Sequence, residues 1–162
     1  MSIINKIKEP ELIALYEYWC EIKGERLAPS RSDFHPMDIP KLLPHIFLYD
    51  VLKDYPDYRM RLFGSALVEA LGRDVTGMTF DEIYGGTNDL KRDYDEVVLS
   101  LEPSYSEGDA NWINTSYLTY HRLLLPMSSD GIRADKLLGM TLFVKKKTKA
   151  DHYRNLLDNR GD

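Results

Sequence analysis

Residues 121–143 read "HRLLLPMSSDGIRADKLLGMTLF", two apolar runs separated by a polar stretch around Ser129-Asp130-Gly131. The pattern predicts a β-hairpin, because Asp and Gly accept turn conformations that the flanking Leu, Met and Phe do not require. Leu123, Leu124 and Leu125 are consecutive, so the first strand presents apolar side chains on both faces. A strand of that kind must be covered on both sides. On the second strand Leu138, Met140, Leu142 and Val144 form an apolar phase against Gly139, Thr141 and Lys145, and this apolar phase is expected to face the core.

Working outward, the clearest helix runs from Pro10 to Gly24. Pro stands at its start, Glu11 in its first turn and Gly at its end, with Leu12, Leu15, Tyr16, Trp19 and Ile22 forming one apolar stripe. This helix is the available cover for the outer face of the sheet. Four prolines then interrupt regular structure across residues 25–44, which read as an ordered connector. Ile46 to Leu52 and Tyr58 to Phe63 are strands joined by the turn "KDYPD". Short helices follow: Ser65 to Leu71 with Ser65 as N-cap, one opened by the capping-box pair Thr79 and Glu82, and Asn88 to Leu101. Strands return within Ser104 to Trp112, from Tyr117 to Pro126 and from Leu137 to Lys145. Residues 1–44 are thus expected to form a helix and connector packed on a domain of residues 45–146, with residues 147–162 as a basic tail.

A chain of 162 residues suits one core that buries roughly two thirds of the unfolded surface. No apolar run approaches the ~20 residues that span a bilayer, and the N-terminus lacks a secretory pattern, so a cytoplasmic protein with no membrane span is expected. A net charge of −5 argues against a nucleic-acid partner, which needs a basic face. The lone Cys20 forms no internal disulfide, and Asn114-Thr115-Ser116 matches the glycosylation pattern by chance in a cytoplasmic chain.

Chemical motifs are sparse. Gly64, Gly72 and Gly77 are too widely spaced for a phosphate loop, and His35, His45, His121 and His152 have no metal-ligand spacing, so no metal site is assigned. Asp81 and Glu82 are adjacent and point apart on a helix. What remains is an interior rich in aromatic and methionine side chains: Phe47, Tyr58, Met60, Phe80, Tyr94, Trp112, Tyr120 and Met140. A curved sheet closed by short helices has room for a cavity there.

Four segments carry a family resemblance: "YEYWCEIKG" (16–24), "LAPSRSDFHPMDIPKLLPHIFLYDV" (27–51), "YRMRLFGSALVEALGRDVTG" (58–77) and the hairpin of residues 121–143. Together they resemble a bacterial family of short, mostly single-domain PAS proteins. The resemblance implies an α+β fold: a five-stranded antiparallel sheet with short helices on one face and the N-terminal helix on the other, the hairpin being the sheet's spine. It also implies a non-enzymatic sensor or adaptor in signal transduction. Haem-binding PAS domains place a histidine on the long central helix and photosensory ones a cysteine in the helical region, and this sequence matches neither pattern, so its cofactor is unknown.

The ligand-lining residues expected from strand and helix phase are Tyr58, Met60, Leu62, Phe80, Tyr94, Leu138, Met140 and Leu142. The expected partners are a small apolar or amphipathic molecule, a signalling protein, and a second copy docking through the N-terminal helix. Two alternatives stand beside this reading. One is a small cone-shaped α+β enzyme using His121 with a carboxylate as general base; the other is a scaffold with a filled core.

Overall fold

The computed structural model describes residues 2–53, 57–85, 89–110, 113 and 118–159. Asn88, Trp112, Tyr117, the tripeptide Asn114-Thr115-Ser116 and residues 54–56 of the first turn lie outside them. Five strands form one antiparallel sheet: β1 (Ile46–Val51), β2 (Tyr58–Phe63), β3 (Ser104–Asp109), β4 (Leu118–Met127) and β5 (Lys136–Lys145), in the order β2-β1-β5-β4-β3. Helix α1 (Pro10–Lys23) covers one face, while α2 (Ser65–Leu71), α3 (Phe80–Tyr84) and α4 (Asp89–Ser100) close the other. This is the α+β architecture that the sequence implies.

The hairpin of β4 and β5 occupies the centre of the sheet, each strand hydrogen-bonded on both edges. Leu123, Leu124 and Leu125 are all buried, as a strand covered on both faces requires. Asp130 closes the turn by accepting from the amides of Ile132 and Arg133 and from the Ser128 hydroxyl, and Gly131 supplies the positive φ of 74°.

On the outer face α1 buries Leu12, Leu15 and Trp19, and the Trp19 indole donates to the Pro126 carbonyl at 2.9 Å. The helix stripe therefore packs on the chain's own sheet. Beneath it lie Ile46, Leu48, Leu123, Leu125, Leu138 and Met140, which the strand register places on one face. The connector is tied to the hairpin where the Ser128 amide donates to the Pro29 carbonyl at 2.8 Å.

Two local features depart from simple alternation. The β1–β2 register steps from Leu48 opposite Leu62 to Tyr49 opposite Met60, so Arg61 is one residue too many and β2 bulges there. Helix α2 is capped by Gly64, with Ser65 its first residue rather than its cap. A Cβ at Gly64 would stand 2.2 Å from the Pro44 carbonyl oxygen, so only glycine lets the connector pass this close.

Beyond β5 the expected tail contains a further helix, α5 (Lys149–Asp158), opened by a capping box of Thr148 and Asp151. It buries none of its residues. The basic segment before it meets the acidic β3 through an ion pair of Lys146 with Asp109 at 3.0 Å.

Candidate functional site

The inner sheet face is built from Phe47 and Tyr49 on β1, Tyr58, Met60 and Phe63 on β2, Arg122 on β4, and Gly139, Thr141 and Phe143 on β5. Gly139 pairs with Phe47, and a Cβ at Gly139 would lie 2.0 Å from the Phe47 ring, so the missing side chain makes room for the aromatic one. Against this face α3 sets Phe80 and α4 sets Tyr94. Tyr49, Tyr58, Phe80 and Tyr94 surround one another in mostly edge-on contacts, with Phe80 and Tyr94 centroids 5.1 Å apart. Such packing favours the positive ring edge against the negative face and fixes each ring's orientation.

The phenol groups are neutral at physiological pH. Burial holds Tyr49, Tyr58, Tyr84 and Tyr94 above the ordinary phenol range, and for Tyr58 the hydrogen bond that it donates to Asp95 adds to the rise. The Arg122 guanidinium opposes the rise in Tyr49, Tyr84 and Tyr94, so its field reaches all three. Arg122 is itself only 2% exposed and lies over the Tyr120 ring at 4.7 Å. Behind the aromatic cluster, buried Lys91 on α4 pairs with Asp81 on α3 at 3.1 Å and fastens the two helices together.

Between sheet and helices is a cavity of about 20 Å³, lined by Phe47, Tyr49, Met60, Tyr94, Arg122 and Thr141 at its floor. Phe63, Leu71, Tyr84 and Phe143 form a half-buried rim. This volume holds about one water molecule.

Of the residues expected to line a pocket, Met60 and Tyr94 line the cavity, and Tyr58 and Phe80 pack against Tyr94 beside it. The other four lie elsewhere. Leu138, Met140 and Leu142 belong to the opposite phase of β5, under α1, because Gly139, Thr141 and Phe143 take the inner face. The bulge at Arg61 sends Leu62 to that outer face too, where it is 36% exposed. Arg122, Thr141 and Tyr84 were missed. For Arg122 and Thr141 the signal was the break in the hairpin's apolar pattern at Arg122, whose register partner is Thr141; Tyr84, at the end of α3, had no such signal.

His121 does meet carboxylates: Nδ1 stands 3.2 Å from Glu9 and 3.4 Å from Glu107, with the Tyr105 hydroxyl at 3.0 Å. The cluster joins the start of α1 to β3 and β4 on the outer face, across the sheet from the cavity. Among the described residues no group of three or more His, Cys, Asp or Glu side chains is placed to hold a metal. Among them also, no helix is long and apolar enough to cross a membrane.

A central antiparallel hairpin, a helix behind it and short helices closing an aromatic interior define an α+β domain built on a single five-stranded sheet. The family model for the PAS domain matches residues 7–142, and the chain belongs to that family. PAS domains are generally non-enzymatic sensory modules of signal transduction. The fold is similar to the PAS domain of Bordetella pertussis BvgS, with TM-score 0.51 at 19% identity over 76% of this chain and 92% of that one. A sensory box sensor histidine kinase from Vibrio cholerae gives TM-score 0.49 at 16% identity over 68% of this chain and 92% of that one. A Rhodobacter sphaeroides LOV protein gives 0.47 at 13% identity over 68% and 65%. At 19% identity the likeness to the BvgS domain is one of fold. No curated protein matches the sequence.

Proposed function

We propose that this PAS domain is a non-enzymatic, cytoplasmic sensor or adaptor that takes up a small apolar or amphipathic molecule between its inner sheet face and helices α2–α4, and passes its state to a signalling partner. The observation that carries the reading is the light anchoring of α2 over the cavity: of its seven residues only Leu67 is buried. A seven-residue helix anchored by buried Leu67 and half-buried Leu71 has less to lose on opening than a longer, more buried one, and a ligand that binds the opened form shifts the population toward it. The space required exceeds the resting cavity, so uptake and displacement of α2 are one event. A second copy docking through α1 would use that helix's outward side chains, since Leu12, Leu15 and Trp19 are buried on the sheet.

Native mass spectrometry of the purified full chain tests the proposal, together with thermal shift across a panel of apolar and amphipathic metabolites. Leu71→Trp at the half-buried rim should fill the entry and abolish both the mass adduct and the shift. Absence of any adduct and any shift in the unaltered chain would replace the sensor by a scaffold with a filled core.

A further inference from the structure

We propose that α5 docks the domain on an anionic lipid surface, lying along the bilayer with Tyr153, Leu156 and Leu157 in the boundary between headgroups and acyl chains and with Lys145, Lys147, Lys149 and Arg154 at the lipid phosphates. This docking does not depend on ligand uptake beneath α2–α4.

Helix α5 forms with little help from the core. Thr148 and Asp151 close its first turn reciprocally, and none of its residues is buried. Its pattern is nonetheless not that of a helix solvated all round. At about 100° per residue, Ala150, Tyr153, Leu156 and Leu157 fall within one arc, and Asp151, Asn155 and Asp158 fall opposite. Tyr153, Leu156 and Leu157 stand 66%, 49% and 69% exposed, an apolar stripe that the chain's own fold leaves in water.

Charge selects the occupant. Lys149 stands at the head of the stripe, one turn before Tyr153, and Arg154 borders it one turn before Leu157. Lys145 and Lys147, both exposed, lead into the helix, while Lys146 is paired with Asp109. Residues 145–158 thus hold five basic side chains against two acidic ones, in a chain whose net charge is −5. Lys and Arg at the edges of an apolar stripe keep their stems on carbon while their heads reach phosphate, and the acidic pair points away from the lipid. Screening over about 8 Å at physiological salt limits the repulsion from the acidic remainder of the chain.

A second copy fits this face less well. A helix about 15 Å long with three large apolar side chains falls short of the about 800 Å² that each partner of a stable protein interface buries. Parallel pairing of two α5 helices would also set Lys149 beside its counterpart, and centred antiparallel pairing Arg154 beside its own. An anionic bilayer imposes neither condition: its interior adapts to any apolar side chain, and its surface supplies the negative charge.

The test is co-sedimentation of the full chain with vesicles of phosphatidylcholine alone and of phosphatidylcholine with about one-third phosphatidylglycerol, at near-physiological salt. The anionic vesicles should bind at least about tenfold more tightly. Leu156→Ser with Leu157→Ser, and separately Lys147→Gln with Lys149→Gln, should each weaken that binding about tenfold or more. Because α5 buries none of its residues, neither pair should move the melting temperature, and a clear fall would show the stripe packed on the domain and overturn the docking. Binding that survives either pair of changes overturns it, since stripe and charge are both required. Equal binding to the two vesicle types, or binding to neither, does the same. So does a dimer seen by sedimentation equilibrium without lipid and abolished by the leucine pair, because the stripe would then face a second copy.

Discussion

The two faces of the sheet are made from alternate residues of the same strands, yet they differ in kind. Outside, Ile46, Leu48, Leu123, Leu125, Leu138 and Met140 meet Leu12, Leu15 and Trp19 of α1 in an apolar layer, with the polar cluster of His121, Glu9 and Glu107 at its edge. Inside, the same strands present rings, phenols, Thr141 and Arg122. Apolar burial needs only shape and volume, whereas each buried polar atom needs a partner as well. The outer face is thus the simpler way to hold a sheet together, and the inner face carries chemistry that stability alone does not require.

The largest expected effect comes from breaking the outer layer. Trp19→Ala removes a buried indole and leaves the Pro126 carbonyl without its donor, at a cost of about 4 kcal/mol. Urea unfolding measures it, and a loss below about 1 kcal/mol would mean that α1 is not the cover that holds this face. Next is Gly139→Ala, one position along β5 from the outer-facing Leu138. The new methyl collides with the Phe47 ring, and overpacking of this sort costs roughly 1–3 kcal/mol. Aromatic NMR resonances of Phe47 and Tyr94 should move; if neither moves, the inner face is looser than its geometry implies. The smallest effect, under about 0.5 kcal/mol, is expected for Leu62→Ala, because its side chain is already partly in water. A loss of 2 kcal/mol in the same unfolding assay would place Leu62 in a buried interface and contradict the bulge.

How much of this was readable beforehand depends on what kind of signal each element carries. Helix α1 and the hairpin were legible because a proline, a terminal glycine and an Asp-Gly turn are local chemistry, independent of the rest of the fold. The phase of β5 was not. Leu138-Met140-Leu142 and Gly139-Thr141-Phe143 both fit a buried strand, and the more hydrophobic set went to the better-sealed face. Only the pairing of Gly139 with Phe47 and of Thr141 with Arg122 settles which phase meets the helices. Leu62 fails for a different reason: period-two alternation is broken at Arg61, and a bulge leaves no residue signature in a single sequence. Helix α5 had a signal in Thr148 and Asp151, an Asp standing where the usual capping box has Glu.

The turn between β4 and β5 is braced from three directions. Ala134 donates to Val98 at the end of α4, Ser128 to Pro29 of the connector, and Asp135 accepts from Val51 of β1. A body fixed at three non-collinear points has no free axis of rotation. The hairpin tip is therefore the triangulated corner of the molecule, where the connector, the sheet and the end of α4 share one frame of reference.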